Sequence, residues 1–346
     1  VTTESAAREA TTSLQELLAD KGVLLADGAT GTNFFDMGLT SGEAPEVWNL
    51  EQPEKVRALH KAFVEAGADI ILTNTFGANR HRLKLHGLET RVVELNRIAG
   101  QLARAEADAA GRAVLVGGSI GPTGELLAPL GDLTYEGAVE AFAEQITGLV
   151  DGGVDILWIE TMSAPEEMKA AAEAASRSEL PFTVTASFDT AGKTMMGLSP
   201  AGLADLASHL PKAPAGFGAN CGVGASDLLV AVLGMTPEGA VENAVPVVIA
   251  KANCGIPKIQ GDAVVYTGTP ELMADYARLA VDSGARIIGG CCGTSPEHLA
   301  AMREAIDDHV RDRRPSPDDI VARIGPLVAP PAEPGAERDR PRRRRR

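Results

Sequence analysis

Eight short apolar runs, each followed by an amphipathic stretch, constrain this chain more than any other feature it has. The runs are 22–26, 69–73, 113–117, 154–159, 181–187, 215–219, 245–250 and 286–289. Most of their residues are β-branched or small, as in strands buried on both faces. The stretches 53–66, 88–110, 135–151, 164–178, 199–210, 225–235, 269–283 and 295–310 have helical periodicity. Several open on a capping residue near a proline: Ser163-Ala-Pro-Glu, Ser199-Pro, Thr269-Pro-Glu and Ser295-Pro-Glu. Eight strand–helix units in about 290 residues predict an α/β fold, a single-domain (β/α)8 TIM barrel over residues 20–310. The competing doubly wound sheet usually carries a G-x-G-x-x-G turn after its first strand, and this chain has none there. Residues 1–19 read as an N-terminal helical extension, and 311–346 as a short cover with a disordered Arg-rich end.

Charge narrows the function. With 32 Lys+Arg against 47 Asp+Glu, the net charge of −15 argues against a nucleic-acid partner. Basic residues gather only in 330–346, where seven Arg outnumber Glu333, Glu337 and Asp339 in a stretch too poor in apolar residues to fold. The longest apolar stretches, 228–235 and 245–250, fall well short of the roughly 20 residues that span a bilayer. Glu4, Glu9 and Glu16 near the start do not read as a signal peptide, so a soluble cytoplasmic protein without a membrane partner is expected.

A barrel of this kind carries its chemistry on the loops after its strands. Strand 1 runs into Ala26-Asp27-Gly28-Ala29-Thr30-Gly31-Thr32, whose small residues let the backbone approach a ligand closely. There Asp27 reads as an acceptor for a ligand ammonium, as a group that orients a metal site, or as a turn-forming Asx. Strand 2 ends in the polar tip Asn74-Thr75, and strand 4 in Glu160, a carboxylate closing an uncharged run. Such a group either pairs inside the barrel or meets a cationic ligand.

The four cysteines are too few for a disulfide framework. Strand 6 leads into Asn220-Cys221-Gly222 and strand 8 into Gly289-Gly290-Cys291-Cys292-Gly293, with glycines that permit sharp bends around each thiol. Cys221, Cys291 and Cys292 therefore suggest a catalytic zinc site with one open position. Cys254 after strand 7 is a possible fourth ligand, disfavoured because it would close the site. No histidine has ligand spacing; His81 and His86 read as solvated, and His60, His209 and His298 as helical.

Together DGATGT, TNTFGAN, GSIGPTG, IET, GANCG and GGCCGT, after strands 1, 2, 3, 4, 6 and 8, resemble the homocysteine S-methyltransferase family over about residues 15–310. The resemblance implies Zn2+ on Cys221, Cys291 and Cys292, with homocysteine as the fourth ligand. It also implies that Asp27 and Glu160 orient the amino acid, with Gly28, Ala29 and Thr30 beside them and Asn74, Thr75 and Asn220 in support. The implied reaction is methyl transfer to the thiolate, forming methionine, from betaine or a related small methyl donor. The alternative is a homocysteine-activating subunit that takes its methyl group from a corrinoid partner protein. Betaine members have tyrosine or tryptophan around the second and fourth motifs, where this chain has Gly77 and Thr161. Phe76, Trp48 and Tyr266 are left as candidates for a cage around a quaternary ammonium. A zinc-dependent hydrolase or lyase would need a His/Asp ligand set that is missing, and a homo-oligomer is left open.

Overall fold

Eight parallel strands follow one another round a ring in the computed structural model, which describes residues 12–236, 246–260 and 263–331. The first seven are β1 (Leu24–Leu25), β2 (Ile70–Leu72), β3 (Leu115–Ile120), β4 (Ile156–Met162), β5 (Phe182–Ala186), β6 (Gly216–Cys221) and β7 (Val247–Ala252). A hairpin of β8 (Pro257–Gln260) and β9 (Ala263–Tyr266) precedes the eighth, β10 (Ile287–Gly290). Their order is β1-β10-β7-β6-β5-β4-β3-β2, and a parallel bridge between Ala26 and Ile70 brings β1 against β2. The fold is a (β/α)8 TIM barrel.

Helix α1 (Leu14–Lys21) precedes β1, and α2 (Gly31–Asp36), α3 (Trp48–Glu51) and α4 (Pro53–Glu65) lead to β2. Helices α5 (Arg80–Lys84) and α6 (Val92–Asp108) lead to β3, and α7 (Tyr135–Asp151), α8 (Pro165–Ser176) and α9 (Pro200–Ser208) follow β3, β4 and β5. Helix α10 (Ala225–Met235) follows β6, α11 (Pro270–Asp282) the hairpin, and α12 (Pro296–Asp307) β10, before α13 (Pro317–Ile324). Ser199, Thr269 and Ser295 are N-caps, as their spacing predicts. At the fourth signal the N-cap is Ala164, and the Ser163 carbonyl instead accepts from Thr194 Oγ1 at 2.8 Å.

Strand alternation sorts the apolar residues into two layers. Leu24, Ile70, Leu72, Leu115, Ile156, Trp158, Val247, Ile249 and Ile287 cluster within the ring, together with Leu14, Leu17 and Leu18 of α1. The intervening Leu25, Ile71, Val116, Leu157, Ile159, Val248 and Ile288 pack with the helices. Full burial of each large side chain stabilises by about 1.5–3 kcal/mol.

The same period of two carries the inward rows on to Ser119 of β3, Glu160 of β4, Asn220 of β6 and Lys251 of β7, at the strands' C-terminal ends. These strands run past the apolar runs that announced them, because polar residues facing one another across the barrel mouth keep their ladder bonds. The described part of the expected cover includes α13, tied down where Ser226 Oγ donates to Gly325 O and Asp227 accepts from Val328 N and Ala329 N. Residues 1–11 of the expected extension and the Arg-rich end, 332–346, lie outside the described residues. Among the described residues, no helix is long and apolar enough to cross a membrane.

Candidate active site

A cavity of about 520 Å³ opens at the C-terminal face of the barrel. Its wall includes Gly28, Ala29, Thr30, Asn74, Thr75, Glu160 and Lys251, together with Cys221, Cys291 and Cys292. The three sulfurs lie within 4.8 Å of one another. One tetrahedral ion bonded to sulfur at about 2.3 Å needs them about 3.8 Å apart, so the cluster needs only small adjustments to share an ion.

Backbone geometry brings these thiols together. Cys221 ends β6 at φ 61°, a left-handed conformation costing about 1–2 kcal/mol, and Gly222 continues the bend at φ 77°. Asn253 links the two cysteine segments: its Nδ2 donates to Gly222 O at 2.7 Å, and its Oδ1 accepts from Cys292 N at 3.1 Å. Cys291 N donates to Ala252 O at 2.6 Å, fixing the double-cysteine turn against β7. Hydrogen bonding to Cys291 raises the pKa of Cys221, and hydrogen bonding to Cys221 pushes Cys292 up to about 12. At Cys291 the bond with Cys221 pulls downward, but Cys292 and burial leave it well above the ordinary thiol value. Packed thiols of this kind resist ionising unless a cation compensates them.

Glu160 is buried beside them. Ser119 Oγ donates to its Oε1 at 2.5 Å, and Asn220 Nδ2 lies 3.4 Å from Oε2. Burial raises its pKa, opposed by Lys251 and reinforced by the like charge of Asp27. Asn220 acts chiefly as scaffolding. Its Oδ1 accepts from Thr161 N at 2.8 Å and Thr185 Oγ1 at 2.7 Å, while Nδ2 donates to Thr161 Oγ1 at 2.7 Å. These bonds hold Thr161 at φ 59°, an unusual conformation for a β-branched residue, and so orient the end of β4.

Asp27 is engaged elsewhere than the sequence suggests. Its Oδ1 accepts from Lys251 Nζ at 2.7 Å and its Oδ2 from Leu72 N at 2.7 Å, and it does not form part of the cavity wall. Burial raises its pKa and Lys251 lowers it. Gly28 is likewise a packing requirement, since a Cβ there would stand 2.5 Å from Thr294 O and 2.8 Å from the Phe63 ring. Asn74 reaches the wall but ties β2 to the 45–49 segment, donating to Pro45 O at 2.7 Å and to Asn49 Oδ1 at 3.2 Å. Thr75 donates to Ser119 O at 2.7 Å. Thr30 is the N-cap of α2, and Ala29 N donates to Thr294 O at 3.1 Å.

Three polar residues of the site are not among those the sequence motifs single out. Lys251 and Asn253 follow the apolar 245–250 run, and a lysine directly after such a run is itself a signal. Glu46 is a buried wall carboxylate that accepts from Gly77 N at 2.6 Å, and no sequence pattern marks it. Cys254 packs in the apolar core, apart from the thiol cluster. Of the cage candidates, Phe76 reaches the cavity wall. Trp48 is buried against Phe34 with Lys55 over its ring, and Tyr266 lies beside Cys292, outside the wall. The three do not assemble into one cage.

The chain matches the sequence profile of the homocysteine S-methyltransferase family over residues 24–306. Methionine synthase of Mycobacterium leprae is 30% identical over 313 residues, which are 85% of this chain and 25% of that protein. That of Mycobacterium tuberculosis is 29% identical over 319 residues, 88% of this chain and 26% of that protein. The chain thus spans about a quarter of the length of these relatives. The metallated form of the homocysteine methyltransferase MmuM from Escherichia coli aligns with a TM-score of 0.70 at 25% identity, covering 84% of this chain and 99% of that one.

Proposed function

Since the chain belongs to the homocysteine S-methyltransferase family, we propose that it methylates the thiol of homocysteine to form methionine, with Zn2+ held by Cys221, Cys291 and Cys292. The observation that carries this reading is the convergence of three thiols from β6 and the turn after β10 at one point of the cavity wall. Three soft donors facing open space suit a zinc ion that keeps one position for a ligand. When bound, the ion supplies the Lewis acidity that keeps a thiol of ordinary pKa near 8.5 anionic at neutral pH.

The chain's own residues do the rest. Glu160, held by Ser119 and steered by Asn220, presents a buried carboxylate to the substrate's ammonium. Leu72, Phe76 and Leu83 give the cavity apolar walls that keep water from the thiolate and the transferring methyl. In-line displacement then depends mainly on holding thiol and donor in line, and it needs no histidine base.

In the first reading the donor is a small methylated molecule, betaine or a sulfonium, sharing the cavity with homocysteine. A second reading, a methyl-corrinoid carried by a partner protein, is favoured by exposed apolar side chains on the connections that follow the strands. Phe35, Phe76 and Leu85 line the cavity, and Leu126, Leu130, Met195 and Met196 lie on the connections after β3 and β5. A donor panel of betaine, a methylated sulfonium and methylcobalamin, scored by methionine formation, tests both. Methionine from a small donor supports the first reading, and methionine from methylcobalamin alone supports the second. No methionine from any donor with zinc-loaded protein refutes the first reading, and the second is refuted if a methyl-corrinoid protein added to the zinc-loaded chain also yields none. Cys291→Ala should lose stoichiometric zinc and nearly all turnover while staying folded; full activity in a metal-free preparation of that variant contradicts the proposal.

A further inference from the structure

Of the two buried carboxylates in the cavity wall, Glu160 has a task in the proposed reaction and Glu46 has none. Glu46 sits in a short 3-10 turn, Pro45–Val47, and is 6% exposed. Asn74 Nδ2 braces that turn through Pro45 O, and Gly77 N donates to Glu46 Oε1 at 2.6 Å. Among the described residues no other residue donates to this carboxylate, so Oε2 is left to the cavity. Glycine at 77 is what admits the arrangement, since a Cβ there would stand 2.8 Å from Oε1. Cys221 ends β6, four places from β2 in the ring of eight, so Glu46 stands across the mouth from it.

The other charged groups of the wall fall at two levels. Glu160 and Lys251 are buried beside the thiols, whereas Glu43, Arg82 and His86 are exposed. Glu43 Oε2 accepts from Thr40 N at 2.9 Å, and Arg82 extends over Gly124, where a Cβ would stand 3.2 Å from its Nη1. Solvent screens these outer charges, but it does not screen Glu46. Burial raises the pKa of Glu46, and the bond from Gly77, Arg82 and His86 pull the other way. A carboxylate held out of water is costly until a cation meets it. Phe76, the residue before Gly77, adds one ring face to the same wall, too little for a cage. Resting on the reading in which a small donor shares the cavity with homocysteine, we infer that Glu46 is the counter-charge that selects an onium donor, a sulfonium or a quaternary ammonium. A donor with an anionic end turns it outward, to Arg82 and His86. In the transfer, a lone pair of the thiolate joins the methyl carbon as the carbon–onium bond breaks. That bond's electron pair returns to the onium sulfur or nitrogen, which leaves neutral. The positive charge fades along the way, so Glu46 holds the bound donor more than the transition state, and its loss falls on KM.

Three probes that differ only at the onium centre test the assignment by calorimetry on zinc-loaded protein. Betaine carries nitrogen, dimethylsulfonioacetate carries sulfur, and 3,3-dimethylbutanoate carries neutral carbon. All three keep the carboxylate, so Arg82 and His86 act on them alike. The wild type should bind one onium probe about 10- to 100-fold more tightly than the carbon isostere, and the tighter one identifies the onium. Glu46→Gln keeps an oxygen for Gly77 N and removes only the charge. Its preference should fall to about threefold or less, with 3,3-dimethylbutanoate bound as before. With the onium that reacts, the variant should raise the donor KM about 10- to 100-fold, while kcat moves less than about threefold and the homocysteine KM stays put. Equal affinity for all three probes in the wild type, an equal loss for all three in the variant, or a donor KM unchanged by Glu46→Gln overturns the role of Glu46 and leaves methyl transfer standing. No methionine from either onium with the zinc-loaded wild type overturns the small-donor reading and this inference with it.

Discussion

Replacing Lys251 with methionine leaves Asp27 with Leu72 N, at 2.7 Å, as the remaining donor to its carboxylate. The carboxyl must then stay charged and unpaired inside the barrel or take up a proton. Protonation caps the cost. A carboxyl with an unfolded pKa of about 3.9 lies roughly three pH units below neutrality, at about 1.4 kcal/mol per unit, so the ceiling at pH 7 is about 4 kcal/mol. Breaking buried pairs costs about the same, roughly 3–5 kcal/mol. In the native protein Lys251 partly offsets the rise that burial causes in the Asp27 pKa; without the lysine that rise is unopposed. The folded variant then binds the proton more tightly than the unfolded chain, so its stability falls as pH climbs above the unfolded pKa. Asp27→Asn/Lys251→Met carries a neutral amide instead and escapes this loss. The double variant should therefore exceed the single one by about 4 kcal/mol at pH 7 and about 1.5 kcal/mol at pH 5. Urea unfolding followed through the buried Trp48 and Trp158 measures the gap. A difference under about 1 kcal/mol at pH 7, or one that stays flat from pH 5 to 7, refutes the claim that Asp27 is shielded from water and dependent on Lys251.

Further outcomes follow from neighbouring contacts. His60 of α4 is buried with no partner for Nε2, and burial pushes its pKa down to about 4. The unfolded chain takes up that proton first, so about 2.5 kcal/mol of stability should be lost between pH 7 and 4.5; a His60→Leu variant with the same acid loss rules this out. Asn253→Ala unties Gly222 from Cys292 and should weaken zinc binding about 10- to 100-fold in chelator competition. Unaltered zinc affinity would mean that the two cysteine segments hold their own shape. Gly289→Ala should cost about 1–3 kcal/mol in urea unfolding, since the new methyl meets Ala26 O at 2.9 Å, and a wild-type midpoint contradicts that contact.

The barrel was legible because its cause is local. A run such as 154–159 followed by a helical period states strand and helix within one window, and the glycine-flanked cysteines announce bends within a few residues. Strand ends were less legible: Glu160 stands out as a carboxylate closing an apolar run, but Ser119 and Lys251 look like loop residues until a ring of strands gives their polar heads a shared mouth. The β8–β9 hairpin carried no signal the periodicity could separate from a loop.

Amino-acid order alone determined the fold class and named the three thiols that cluster in space. Tertiary structure decided which charges meet. It committed Asp27 to a lysine 224 positions away, made Asn220 a brace behind the wall, and kept Trp48 and Tyr266 out of that wall. Periodicity is a property of neighbours along the chain, whereas an ion pair depends on distance in space, and that distance exists only once β1 and β7 are set on either side of β10.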